Sequence, residues 1–177
     1  MKKNTILIFG LGLGIGILLC PLAVFVYVKS GMMPVTTADP PMPFEKFIAR
    51  SAISVAIQKE ENLKPSFVIA EPEIKNATRL YLNHCAGCHG SIDTPDSKMA
   101  DAMFPKAPQL FKADDLVTDD PLGKIHWKIK NGLRLTGMPS YQKILSDEEI
   151  WQVSSLLQQA DHLSELVKKE LSAGMRK

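Results

Sequence analysis

An all-α architecture is what this sequence predicts, and three observations predict it. No segment alternates apolar and polar residues with the two-residue period of a strand. Helix signals recur instead. Asp120-Pro121 sets a capping carboxylate before a proline suited to a first turn, and Ser146-Asp147-Glu148-Glu149 has the spacing of a capping box. Third, residues 5–28 carry no charge. About 24 residues at about 1.5 Å each make one helix longer than the roughly 30 Å hydrocarbon core of a bilayer.

That apolar run is read as an uncleaved membrane anchor rather than a cleaved signal peptide. A signal's apolar region is shorter, and no small-x-small cleavage site follows Val28. Cys20 does not make a lipoprotein site, because Leu19 stands where a small residue is needed and apolar sequence continues beyond it. Lys2 and Lys3, against a single Lys29, place the N-terminus in the cytoplasm and everything after Ser30 on the outer side. Gly10, Gly12, Gly14 and Gly16 would let two such helices approach closely, and a lone anchor is an equally open reading.

Residues 31–43 (GMMPVTTADPPMP) read as an extended linker. A helix is expected over 44–62, with two roles open: packing on its own domain, or docking a partner. Residues 63–72 hold two prolines and read as a second linker or strap. Residues 73–84 (EIKNATRLYLNH) read as a helix with Leu80 and Tyr81 facing a core, and residues 91–118 as mainly loop. A helix over 121–131 should turn Leu122, Ile125, Ile129 and Trp127 inward and end at Gly132. The last strong helix runs from Ser146 to near Ala160, and residues 163–171 extend it or fray. The expected organisation is an anchor over 1–30, a proline-rich linker over 31–72 holding the helix 44–62, a helical domain over 73–162, and a helical tail over 163–177.

The chemistry is concentrated in Cys85-Ala86-Gly87-Cys88-His89. Two thiols three residues apart, followed at once by an imidazole, form the C-x-x-C-H pattern of covalent c-type haem attachment. On one helical turn the thiols reach the two vinyl groups on one porphyrin edge, and His89 swings under the ring to bind iron through Nε2. The rival readings are weaker. A redox dithiol opens a helix in a βαβ setting, absent here, and a zinc site needs a second ligand pair. The chain holds three cysteines. The third, Cys20, lies in the anchor, so no disulfide framework is available.

The iron's sixth position needs another ligand. Of eight methionines, Met1, Met32, Met33, Met42 and Met175 lie in the anchor, linker or tail, and Met99 and Met103 in the long loop. Met138 sits between Gly137 and Pro139 on the loop after a helix. The glycine permits close approach and the proline stiffens the loop, so Met138 is the favoured thioether.

Residues from about Ala77 to Ala160 resemble a class I c-type cytochrome. The carriers are NATRLYLNHCAGCHG, Ala-Pro-Gln-Leu at 107–110, IKNGLRLTGMPSY and DEEIWQVSSLLQQA. The resemblance implies a small α-helical haem domain, here preceded by a transmembrane helix and a linker, whose first and last helices cross beside the haem. It implies thioethers from Cys85 and Cys88, His89 as proximal ligand and Met138 as distal ligand. It further implies that the Pro108 carbonyl orients His89, that Leu110 and Trp127 wall the pocket, and that Tyr81 meets Trp151 at the helix crossing.

Two side-chain ligands leave no site for a substrate, so the expected role is not enzymatic. It is a membrane-tethered electron carrier with one haem c, facing the periplasm of a bacterial inner membrane. It would exchange electrons with redox partner proteins, alone or as a subunit of a respiratory or dehydrogenase complex. Lys124, Lys128, Lys130, Arg134 and Lys143 are candidates for a basic docking patch. The alternative is a haem-based ligand sensor or peroxidase in which Met138 dissociates and His126 or His162 assists. A net charge of +2, with no basic arm, argues against nucleic acid.

Overall fold

The computed structural model describes residues 2–174, with side chains from Thr5 onward. Met1 and residues 175–177, Met175 among them, lie outside that range, as do the side chains of Lys2 and Lys3. The chain divides into two compact units, Met1–Glu45 and Lys46–Lys177. The described residues hold helices and turns and no strand.

In the first unit, α1 spans Lys2–Lys29. Thr5–Lys29 is long and apolar enough to cross a membrane, with a mean hydropathy of 2.5 and none of it buried. A helix that is apolar all round, with no protein against it, suits lipid as solvent. The linker after it is not simply extended. Ser30 Oγ donates to the Tyr27 carbonyl at 2.7 Å, and the Asp39 carboxylate accepts the N–H groups of Val35 (3.2 Å) and Thr36 (3.0 Å). Those backbone donors hold the Asp39 carboxyl below its ordinary range.

In the second unit, α2 (Glu45–Ile57) stops five residues short of the expected end. Ile57 is buried, while Phe47, Ile48 and Val55 are exposed. The turns after Ile57 lie against the start of α6 (Leu122–Asn131). A Cβ on Gly123 would stand only 2.6 Å from the Glu61 carbonyl oxygen, so glycine is what lets that backbone in.

The helical core comes from α3 (Glu71–His84), α6, α7 (Asp147–Gln158) and α8 (Glu165–Gly174). Helix α3 packs on α7 and α8, and α6 on α7. Ile74, Leu80 and Tyr81 meet Ile125, Ile129, Ile150, Val153, Leu156, Val167 and Leu171 in one apolar cluster. At the α3–α7 crossing Asn76 donates to Gln152 at 2.6 Å. The buried hydroxyls of Thr78 and Ser154 donate to carbonyls four residues back on their own helices, which satisfies them without a partner across the core.

The expected capping box closes α7. Ser146 Oγ accepts from Glu149 N–H (3.2 Å), and Glu149 accepts from Ser146 N–H (2.8 Å). At α6 the expectation needs correction. Pro121, not Asp120, is the capping residue, and no side chain caps the helix. The Asp120 carboxylate is drawn instead to Lys124 (2.5 Å) and Lys128 (3.1 Å). The stretch after 162 neither extends α7 nor frays. It turns back as α8, buries Leu163, Val167 and Leu171, and receives the Ser91 hydroxyl on the Leu171 carbonyl at 3.0 Å.

Candidate haem-binding site

Helix α3 ends at His84, and a single turn, α4 (Ala86–His89), carries the pentapeptide onward. Gly90 then adopts φ 71°, the left-handed value a tight exit demands. A Cβ there would stand 2.6 Å from the Pro95 carbonyl oxygen. The Tyr81 hydroxyl donates to the Gly90 carbonyl at 2.8 Å and so pins the exit to the core.

Beside this turn lies a cavity of about 200 Å³. Its walls include Cys85, Cys88 and His89 from the helical turn, Met103, Pro108 and Leu110 from the long loop, Ile125 and Ile129 from α6, and Met138 and Tyr141 from the loop after it. No Asp or Glu lines it among the described residues. A larger hollow of about 580 Å³, between residues 61–65 and the ends of α6 and α7, has no thiol, imidazole or thioether in its walls. The chemistry therefore selects the smaller, apolar cavity.

The His89 ring is already oriented for ligation. Its Nδ1 lies 2.8 Å from the Pro108 carbonyl oxygen. A carbonyl only accepts, so Nδ1 bears the hydrogen and Nε2 keeps its lone pair. Burial lowers the His89 pKa, against the opposing pull of that carbonyl. The neutral form, the one that ligates a metal, is thereby favoured. Burial, with Cys88 adding to it, pushes the Cys85 thiol up to about 12. Before attachment it is a neutral thiol in apolar surroundings. Two thiols, a neutral imidazole and a thioether facing one carboxylate-free cavity fit a covalently held haem.

The long loop is held by a residue that sequence reasoning passed over. Gln109, 1% exposed, accepts Ser97 N–H at 2.7 Å. Its amide nitrogen donates to the Cys88 carbonyl (3.1 Å) and to the Ala107 carbonyl (2.8 Å). It thus fastens the loop to the attachment turn and sets Pro108 where His89 needs it. The only sequence signal was its place inside the Ala-Pro-Gln-Leu segment.

The distal side brings two methionines together. Met138 and Met103 both line the cavity, whereas Met99 is exposed and does not. A Cβ on Gly137 would come within 2.7 Å of Met103 Cε, so Met103 lies against the glycine that precedes Met138. The loop is fixed by Leu133 N–H to the Met138 carbonyl (3.2 Å), by Ser140 Oγ to the Lys130 carbonyl (2.7 Å), and by the Tyr141 hydroxyl to the His84 carbonyl (2.6 Å).

Several expectations need correction. Leu110 lines the cavity and Trp127 does not, being only half-buried on α6. Tyr81 and Trp151 do not pair. Tyr81 meets Phe111 edge-on at 5.2 Å, and Trp151 stacks on His126 at 3.8 Å. His126 is buried away from the cavity and bonded to Asp147 at 3.2 Å, and His162 is a surface side chain. Neither lines the cavity. In the expected basic patch, Lys124 and Lys128 share Asp120, and Lys130 pairs with Asp147 at 2.7 Å. Among the described residues Arg134 and Lys143 make no ion pair.

The helical topology, the attachment turn and the oriented imidazole define a c-type cytochrome domain, a haem-binding, electron-transferring module. Residues 72–157, just under half of the chain, match the family model described as cytochrome c oxidase, cbb3-type, subunit III. Among solved structures, the chain is similar to one from the Kuenenia stuttgartiensis reducing HAO-like protein complex Kustc0457/Kustc0458. That match has 23% identity over 54% of this chain and 47% of the other, with a TM-score of 0.45, a likeness too slight to bear on function. No curated protein matches the chain.

Proposed function

We propose that this chain is a membrane-tethered one-electron carrier with a single haem c on the periplasmic side of a bacterial inner membrane. Cys85 and Cys88 hold the haem by thioethers, His89 is the proximal ligand and Met138 the distal one. The observation that carries the reading is the apolar cavity where both thiols, the Nε2-competent His89 and Met138 stand together. When bound, the haem supplies a reversible Fe(III)/Fe(II) couple. The chain's residues then do the rest. His89 and Met138 would hold the iron from the two sides, which would leave no site for a small-molecule substrate. As a ligand, Met138 would favour the ferrous state, and the apolar walls would disfavour the extra charge of ferric iron. One electron enters from a donor protein and one leaves to an acceptor. The likeness of residues 72–157 to an oxidase subunit supports a place in a respiratory oxidoreductase assembly.

Redox titration and optical spectra of the full chain test this. Wild type should show the weak far-red band of ferric iron bound to a thioether. Met138→Ala should lose that band, and its potential should fall. Retention of the band would move the ligand to Met103. Rapid carbon monoxide binding by reduced wild type would favour the sensor reading. Resistance to carbonate extraction tests the anchor, and a mature N-terminus beyond Ser30 would refute it.

A further inference from the structure

Helix α2 is apolar on two opposite faces, and the fold covers only one of them. Ile57 is 2% exposed, and Ile53, one turn earlier on the same side, is half-buried. On the other side Phe47, Ser51 and Val55 follow at four-residue spacing, with Ile48 and Ala52 one position on from the first two. All of these outer residues are exposed, and none is charged. Phe47 is exposed to 71%, Ile48 to 63% and Val55 to 68%. Single exposed apolar side chains are ordinary, but a continuous stripe along one helix face marks something that covers it.

The chain itself supplies the nearest apolar phase. Helix α1 holds a stretch long and apolar enough to cross a membrane, and only residues 30–44 separate its end from α2. Even fully extended, that stretch reaches at most about 50 Å. A tether so short holds α2 near the bilayer surface at an effective concentration on the order of millimolar. A short stripe, too small to keep a soluble protein on lipid by itself, suffices under that condition. Arg50, exposed one turn after Phe47, edges the stripe. There its guanidinium can reach a headgroup phosphate while its stem lies along apolar surface.

We infer that the outer face of α2 lies in the headgroup boundary of the bilayer that α1 spans, with Phe47, Ile48 and Val55 turned into the lipid. The inference rests on the anchor reading above and goes beyond it. Phospholipid is the occupant because the stripe offers apolar area with serine as its one polar side chain, which lipid accepts without any further match. The turns after Ile57 lie against α6 at Gly123. A lipid-seated α2 therefore keeps the haem domain at the membrane surface instead of at the end of a free tether.

The test uses the full haem-loaded chain with Cys20→Ser, so that one introduced thiol takes a nitroxide spin label. Separate chains carry Ile48→Cys, Val55→Cys or, as a control on the exposed side of α8, Lys169→Cys. Each is reconstituted in vesicles of phosphatidylcholine and phosphatidylglycerol. Collision of the label with oxygen, which partitions into lipid, is compared with collision with a water-soluble nickel chelate. Oxygen should dominate at 48 and 55, and the chelate at 169. Adding Phe47→Glu to the Val55→Cys chain should shift its label toward the chelate, with the haem spectrum and carbonate resistance unchanged. Labels at 48 and 55 that read as aqueous in a chain resistant to carbonate would overturn the inference and leave the anchor standing. The same aqueous reading in vesicles, with burial in native membranes, would overturn it too and assign the face to a membrane protein. Oxygen dominance at 169 as well would also overturn it, since α2 would then not be the face that meets lipid. Extraction of the chain by carbonate would refute the anchor, and this inference with it.

Discussion

Gly132 is the hinge on which the Met138 loop closes, and Gly132→Ala should open it. Gly132 has φ 66°, so alanine there costs about 1 kcal/mol in backbone strain alone. The added Cβ would also stand 2.6 Å from Pro139 C and from Ser140 N. These are backbone atoms of the returning arm, which cannot rotate away as a side chain would. Three bonds hold that arm: Leu133 N–H to Met138 O, Tyr141 N–H to Ile129 O, and Ser140 Oγ to Lys130 O. Losing one or two of them, at about 1 kcal/mol each, brings the total to about 2–3 kcal/mol. For a domain of this size that corresponds to a Tm lower by roughly 6–12 °C. Thermal unfolding of the holoprotein, followed by far-ultraviolet circular dichroism, gives the stability. The far-red band should weaken together with it, because Met138 travels with the arm. A Tm within about 2 °C of wild type, with the band intact, would refute the reasoning.

Two further outcomes follow from contacts away from the cavity. Gly123→Ala forces the Glu60–Glu61 backbone off α6 and uncovers Ile57; it should cost about 2 kcal/mol in denaturant unfolding and admit protease between 58 and 64, with the haem spectrum unchanged. The second concerns pH: burial lowers the His126 pKa, Lys130 works the same way, and Asp147 and Glu60 oppose them. Because the unfolded chain binds the proton more readily, stability should decline as pH falls below about 6.5, the unfolded value. His126→Phe, which keeps an aromatic ring on Trp151, should flatten that decline in stability curves taken between pH 7 and 5. Asp147 titrates lower, its pKa held down chiefly by Lys130, so its contribution is lost only on further acidification.

What the sequence made legible, and what it hid, divides along one physical line. Local chemistry was readable. The Ser146 capping box and the thiol–imidazole spacing each declare themselves within a few residues, and the Gly137–Pro139 context marks a methionine that does reach the cavity wall. Partners distant in the chain were not. Nothing near Leu163 says whether an amphipathic stretch packs or frays; that depends on α3, some eighty residues earlier, leaving a face for Val167 and Leu171. Gly123 reads as an ordinary weak helix position until the Glu61 carbonyl is seen against it. Trp127 and Trp151 were expected to find the haem wall and Tyr81, but α6 is rotated so that His126 faces inward and takes the Trp151 ring. Asp120 was expected to cap α6. Two lysines one and two turns along the same helix compete for its carboxylate, and at 2.5 and 3.1 Å they outweigh a single backbone N–H.

The loop from Gly132 to Tyr141 shows how one short segment meets two opposed demands. Inward it sets the flexible Met138 thioether in the cavity wall; outward it exposes Leu135 to solvent. Thr136 links the two. Its hydroxyl donates to the Leu133 carbonyl at 2.7 Å and accepts from Met138 N–H at 3.1 Å. The turn that exposes Leu135 is thereby bonded to the backbone of Met138, two residues on. A side chain loaded from outside would press on a turn already braced at both ends, by Gly132 against Pro139 and by Tyr141 against His84. Such bracing holds the exposed tip and the inward methionine in place together. A looser loop, held by side-chain packing alone, would couple docking to ligation. The hydrogen-bonded turn would keep the two apart under the proposed Met138 ligation.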